Sequence, residues 1–566
     1  MPPLKSRYLV TAALPYANGR AHVGHIAGCY LPADTFVRFL RLTGREAVFI
    51  CGSDENGAPI TFAALKEGVS PQDIVNRYHQ ILKTSFAGLG IDFSFYGETH
   101  APAHDDATQK FFLKLLAGNY VQKRTVEQVY CRECQMFLPD RYIEGLCPFC
   151  GKSGARGDQC EACGRPTDAT KLGEPECKVC PQQGRSGKNC VEVRASDHWF
   201  LQLNSSETAV RQYLDAHPEW RAAVKHFSYG LLDEGLRERC ITRDLTWGVP
   251  VPLDGAAGKV LYVWFDAPIG YITFSQQYFA ERGQPDGWRD FWQNADTGLV
   301  HFIGKDNTVF HSVMFPAMLM AHGGYRLPDT VVANEFLNLE RDKISTSRQH
   351  AVWVDEYLTQ FAPDSLRYYL TTIAPENHDS DFSWTGFQTR HNGELADNLG
   401  NFIQRNLAFC QKYFDGAVPA ATASEAGQKL LAKIAAAKNA AAEKIGEHCY
   451  RDALDEVMML SRAGNEFFSA ETPWKTRTAE PEKCAATILT CVQTVEALSV
   501  LMAPFLPFSA AKLRATLNLP ALQDGDWNAP GQIKGGHLIN APEVLFPKID
   551  DAAITAAKER SGVRPV

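Results

Sequence analysis

Tyr8 to Leu14 (YLVTAAL) is apolar on both alternating faces, the pattern of a short strand buried between two layers. Glu46 to Cys51 (EAVFIC) repeats it. Between them a helix is expected from about Gly24 to Leu42, stopped at Thr43-Gly44. Ser70-Pro71 opens a further helix, with a capping serine and a proline in the first turn. Strand and helix alternating in this way predict a parallel sheet whose ligand sits at the carboxyl ends of its strands. The rhythm breaks near Tyr120, and residues 131–190 are rich in Cys, Gly and Lys and short of apolar runs. Such a segment needs cross-links to hold a shape. The rhythm resumes with KVLYVWFDAPIGY and with LVHFIGKDNTVFHSVMFPAMLMAHGG, a strand feeding a helix that Gly323-Gly324 ends. The cysteine-rich stretch therefore reads as an insertion into one sheet domain.

Beyond Ser383 the periodicity is helical. Ala453, Val457, Leu460, Gly464 and Phe467 recur every three or four positions and make one apolar face. The stretches Leu395 to Phe409, Leu430 to Ile445 and Ile488 to Leu501 behave alike, and a bundle is the simplest way to pack all four. The tail after about Asp550 is polar and is expected to be loose. The expected division is 1–118 and 244–335 for the sheet domain, 119–243 for the insertion, 336–390 for a connecting region, 391–550 for the bundle and 551–566 for the tail.

Composition narrows the possibilities. With 57 Lys and Arg against 65 Asp and Glu, the 566-residue chain carries a formal charge of −8. That excludes a protein that coats polyanions, so nucleic acid would have to be held by local patches. No uninterrupted apolar stretch approaches the roughly 20 residues of a membrane span, and Pro15 breaks the apolar N-terminal run, so neither membrane nor signal peptide is expected. Sixteen cysteines point to a reducing compartment, the cytoplasm, and to metal thiolates. Cys131/Cys134, Cys147/Cys150, Cys160/Cys163 and Cys177/Cys180 are four CxxC pairs within fifty residues. Each pair puts two thiolates on one side of a zinc ion, so eight ligands fill two closed, structural sites. Either the inner pairs share one ion and the outer pairs the other, or the pairs combine sequentially.

Two further motifs suit phosphate. His22-Val23-Gly24-His25 lies in the turn between the first strand and its helix, where backbone N–H groups and the helix dipole favour an anion, and Gly24 lets a flat base lie on the backbone. Lys343-Ile344-Ser345-Thr346-Ser347-Arg348 offers cations and hydroxyls in one hairpin-like loop. Either motif alone is equally an ordinary surface feature; their pairing decides. HVGH resembles the His-Ile-Gly-His signature, and KISTS the Lys-Met-Ser-Lys-Ser signature, of class I aminoacyl-tRNA synthetases. Within that class TAALPYANGRAHVGH, ICGSDENG, YVWFDAPIGY, FIGKDNTVFHS and the late ETPW resemble methionyl-tRNA synthetases, in order from about Tyr8 to Trp474.

The resemblance implies an α/β fold: a Rossmann-like parallel-sheet catalytic domain with a zinc-knuckle insertion, followed by an all-α helical bundle. It implies activation of L-methionine by ATP with Mg²⁺, then transfer to elongator and initiator tRNA(Met). His22, His25 and Lys343 would be catalytic, and Gly24, Ser345 and Lys305 would join them in binding ATP. Leu14, Tyr16, Asp54, Trp264, Ala267, Pro268, Tyr271 and His311 match the methionine pocket, with Asp54 on the ammonium group. For the aromatic residues and for His311, core packing is the competing reading. Asn307 stands where the family often has an aliphatic residue. Asn401, Arg405 and Trp474 match anticodon-reading positions. The signature's second lysine is Thr346 here, a loss that Arg348 or Lys305 would have to offset. A monomer is expected. The rival readings are another class I synthetase, for which little room is left for an editing domain, and an inactive zinc-ribbon scaffold that binds nucleic acid.

Overall fold

The computed structural model describes residues 4–157, 160, 162, 163, 165, 167–345 and 349–563. Five strands, β1 (Arg7–Ala12), β2 (Glu46–Ser53), β3 (Phe95–Glu98), β4 (Thr297–Gly304) and β5 (Thr330–Asn334), form one sheet in the order β5-β4-β1-β2-β3. Every pairing in it is parallel. Strand β1 sits in the middle, Leu9 lying opposite Val48 on one side and Leu299 on the other, and both of its faces are buried. The chain order reverses between β1 and β4, and at that switch point the loops leaving the carboxyl ends open a crevice.

The expected single helix from Gly24 to Leu42 is continuous but not uniform. It begins at Val23–His25, widens into a π turn over Ile26–Tyr30, and continues as α1 (Leu31–Leu42). Pro32 explains the turn: it has no N–H to give the Gly28 carbonyl, which takes a hydrogen bond from Asn334 Nδ2 at 2.9 Å instead. The wide turn stitches the site helix to the end of β5.

The insertion rises on a two-stranded antiparallel ribbon, Val121–Cys131 against Val191–Leu201, with the cysteine segment at its tip. A long helix with an internal proline, α2 (Val263–Glu281), carries WFDAPIGY back across the sheet. The hairpin Leu337–Leu339/Asp342–Lys343 then holds the second phosphate motif.

The bundle comprises α3 (Asn401–Tyr413), α4 (Glu425–Gly446), α5 (Tyr450–Glu471), a short α6 (Pro473–Ala479) and α7 (Pro481–Leu501). Helix α7 is long and apolar enough to cross a membrane, yet 89% of its most apolar window is buried among its neighbours. It is the core of the bundle. Gly464 of α5 lies against the Phe402 ring, where a Cβ would overlap it. The expectation of a loose tail is overturned. Asp550 caps α8 (Asp551–Arg560) through the Ala553 N–H, Ile554 and Ala557 are buried, and Trp384 Nε1 donates to Ser561 Oγ at 3.1 Å.

Candidate active site

At the carboxyl ends of the strands lies a cleft of about 420 Å³, lined by Leu14, Tyr16, His22, Gly24, His25, Trp264, Asn307, Lys343 and Ile344 among others. His22 caps the first helical turn. Its Nδ1 accepts the Gly24 N–H at 3.1 Å, and His25 Nδ1 accepts the His22 N–H at 3.2 Å. With both Nδ1 atoms accepting, each neutral ring carries its proton on Nε2. The rings stack at 3.7 Å. Burial and the neighbouring His25 push His22 well below its ordinary value, and the surrounding protein also lowers His25, though its side chain is open to solvent. Both are neutral hydrogen-bond donors at pH 7.

The two phosphate motifs meet here. A Cβ on Gly24 would lie 3.0 Å from the His22 ring and 3.2 Å from Ile344 Cδ1, so any side chain there would have to push one of them back by a few tenths of an ångström. The histidine loop is also zipped to the chain beyond the lysine loop: Val23 N–H donates to Val352 O at 3.0 Å and Val354 N–H to Ala21 O at 3.0 Å. Lys343 is exposed on the hairpin and pairs with no carboxylate among the described residues. Ser345 is held by backbone hydrogen bonds to His350 in both directions, each 3.0 Å. Thr346 and Arg348, the expected loss and its offset, lie outside the described residues. Lys305 stands at the edge, its ammonium shared by Glu335 at 2.7 Å and Asp379 at 2.6 Å.

Of the residues matched to a methionine pocket, Leu14, Tyr16 and Trp264 line the cleft, whereas Asp54, Ala267, Pro268, Tyr271 and His311 form the wall behind it. Trp264 lies flat on Phe310, 3.9 Å between centroids and 5° between planes, and its edge meets Tyr16 at 6.3 Å. Asp54 follows β2 and is bound to the Tyr16 loop by backbone hydrogen bonds to Pro15 and from Ala17, each 2.8 Å. Burial, then the nearby Asp266 carboxyl, raises the Asp54 carboxyl well above its ordinary value, and no described Lys or Arg pairs with it. It is a buried acid lacking a cation. His311 uses both ring nitrogens, Nδ1–H on Asn307 O at 3.1 Å and Nε2 accepting the Tyr271 hydroxyl at 2.9 Å, so it is a satisfied wall residue that positions Tyr271. Phe310, the floor of the Trp264 stack, was not singled out from the sequence; its signal was its place one residue before His311 in FIGKDNTVFHS.

At the ribbon tip the cysteines nest as inner and outer sets: Cys147, Cys150, Cys160 and Cys163 form one group, and Cys131, Cys134, Cys177 and Cys180 the other. Four thiolates at about 2.3 Å from a metal stand about 3.8 Å apart. The sulfur separations fit, at 3.8 Å for Cys147–Cys163 and Cys150–Cys160, and 3.6, 3.3 and 3.9 Å for Cys131–Cys180, Cys134–Cys180 and Cys134–Cys177. A fifth thiol, Cys190, lies 3.5 Å from Cys131 and donates to Gly187 O at 3.2 Å. Having no CxxC partner, it carried no signal in the sequence.

On the bundle, Asn401 and Arg405 stand one turn apart on α3, and Trp474, in the first turn of α6, is 49% exposed. The Phe468 ring links them, with Arg405 4.4 Å above it and Trp474 5.8 Å away.

The switch-point crevice thus holds paired histidines against a lysine hairpin, beside an aromatic slot. The family model "tRNA synthetases class I (M)" matches residues 8–407, and "Anticodon binding domain of methionyl tRNA ligase" matches 418–564. The chain is 46% identical to the methionine–tRNA ligase of Salinibacter ruber over 99% of its own length and 81% of the relative's. It is 45% identical to that of Pyrococcus furiosus, over 97% and 76%. The fold matches that of Mycobacterium tuberculosis methionyl-tRNA synthetase bound by methionyl-adenylate, with a TM-score of 0.79 at 23% identity, covering 96% of this chain and 100% of that one. This chain belongs to the methionine–tRNA ligase family.

Proposed function

We propose that the chain is an ATP-dependent ligase that activates L-methionine as methionyl-adenylate and transfers it to tRNA(Met), elongator and initiator alike. The observation that supports it most is the contact of Gly24 with both His22 and Ile344, which joins the two phosphate motifs in one cleft with Trp264. The methionine carboxylate is its own nucleophile, so the protein supplies position and charge rather than a nucleophilic side chain. His22 and His25 donate Nε2–H to phosphate oxygens as negative charge builds. The free ammonium of Lys343 takes the charge of the departing pyrophosphate, which Mg²⁺ brought with ATP also neutralises. The substrate ammonium supplies the cation Asp54 lacks, and the methyl thioether packs on Trp264 and Tyr16. Because Asp54 stands behind Tyr16, admission of the ammonium requires the Tyr16–Trp264 edge to part.

The two cysteine groups are read as closed structural zinc sites that shape the path of the tRNA acceptor end, and Asn401, Arg405 and Trp474 as readers of the anticodon. Free cysteines throughout the chain fit a reducing cytoplasm, and the chain is read as a monomer. ATP–pyrophosphate exchange run with each of the twenty amino acids tests the reading. Methionine alone should support fast exchange; exchange with another amino acid, or with none, contradicts it.

A further inference from the structure

In a chain of net charge −8, one end of the bundle collects cations around exposed rings. Trp474 and Arg477 lie three residues apart on α6, on one face and about 4.5 Å apart along its axis. The Arg477 guanidinium stands 4.2 Å over the ring of Tyr413, the exposed last residue of α3. Phe409 packs tilted against that ring at 4.6 Å and continues to Phe468 at 6.2 Å, which meets Trp474 at 5.8 Å. The result is two ledges on one aromatic spine: the Trp474 ring, and the Tyr413 ring with the exposed Arg477 over it. Lys412, 5.1 Å from the Tyr413 ring, and the exposed Lys475 flank them, while the acid nearest on α5, Glu471, is engaged by Lys483 at 3.6 Å.

Exposed rings and guanidinium planes in a cationic setting are how proteins hold splayed single-stranded bases. We propose that Tyr413 and Arg477 form a second base-stacking ledge, which takes an anticodon-loop nucleotide flanking the three that Asn401, Arg405 and Trp474 read. This rests on the reading of the bundle as the anticodon reader. Neighbouring bases would rest on Trp474 and on Arg477, and Lys412 and Lys475 would meet the phosphates between them.

The test measures KM and kcat for charging of tRNA(Met), unmodified or with each loop nucleotide in turn made abasic, in Tyr413→Ala, Arg477→Ala, Tyr413→Phe and Trp474→Ala enzymes. Melting curves report folding. Tyr413→Ala and Arg477→Ala should each raise KM roughly tenfold with kcat little changed, and Tyr413→Phe should stay near wild type because stacking needs the ring. One abasic position outside the anticodon triplet should weaken the wild type and have no further effect in Arg477→Ala. If Trp474→Ala raises KM while Arg477→Ala and Tyr413→Ala do not, or if the abasic and Arg477 effects simply add, the second ledge is overturned and the anticodon reading stands. If neither Trp474→Ala nor any loop lesion matters, both fall. Arg477 is exposed, so its variant decides the question even if Tyr413→Ala fails to fold.

Discussion

At the residue scale, the site depends on side chains whose protonation and pairing are set by their surroundings. In the proposed reaction neutral His22 and His25 place an N–H toward phosphate without the desolvation cost of a buried cation, and Lys343 lines the same cleft with no carboxylate partner among the described residues. Lys343→Ala should therefore lower kcat for methionine-dependent exchange by about 10²–10³-fold, the scale of losing one charge-stabilising group. Near-normal exchange would remove that role. Lys305, already neutralised by Glu335 and Asp379, is poorly placed to make up for Thr346. HVGH, KIS and the CxxC pairs were legible because each chemistry needs its donors close together in sequence. Phe310 and Cys190 were not, because each works through partners far along the chain: Phe310 under Trp264, Cys190 beside Cys131.

At the element scale, periodicity located β1, β2 and β4, the bundle and the helix capped by Ser70, but it missed the short β3 and β5 and could not distinguish helix types or dockings. The π turn at Ile26–Tyr30 arises because Asn334, on a strand some three hundred residues later, replaces the bond Pro32 cannot make. The tail helix α8 has only Ile554 and Ala557 to bury, too sparse a stripe to stand out from a polar segment. In α5, Gly464 lets Phe402 close on the helix, so Gly464→Ala should destabilise by about 1–3 kcal/mol through overpacking, outweighing alanine's better helix propensity. A lowered melting midpoint would show it; an unchanged or raised one would contradict the packing. At the ribbon tip Leu138, Tyr142, Ile143, Leu172 and Val179 pack a small apolar cluster around the two cysteine groups, and on the zinc reading stripping metal should loosen the segment. Charging of tRNA should fall more than amino-acid exchange, since none of the eight CxxC cysteines lines the cleft. Equal losses in both assays would argue against that separation.

Across the whole molecule, a buried arginine ties the catalytic sheet to the bundle. Arg367 Nη2 meets Asp34 of α1 at 2.7 Å, with both side chains fully buried, and donates also to the Pro504 carbonyl at 2.9 Å while Nε donates to that of Phe505 at 2.8 Å. Burial opposes ionisation of Asp34, but Arg38 and Arg367 outweigh it and hold the carboxyl below its ordinary value. Asp34→Asn leaves Arg367 buried without its counter-charge and should cost about 3–5 kcal/mol, read as a lower denaturation midpoint. In the wild type this contribution is full above about pH 4, the value in an unfolded chain, and is lost as pH falls through the depressed folded value. The variant's stability should accordingly be flatter in acid. In the proposed reaction one cleft grips a triphosphate between the histidine turn and the lysine hairpin while holding methionine at Asp54 and Trp264. A crystal structure with a non-hydrolysable methionyl-adenylate analogue tests it most directly. The phosphate mimic should lie against His22, His25 and Gly24, with the ammonium on Asp54 and the thioether on Trp264; an analogue bound elsewhere, or with its amino group away from Asp54, would contradict the account.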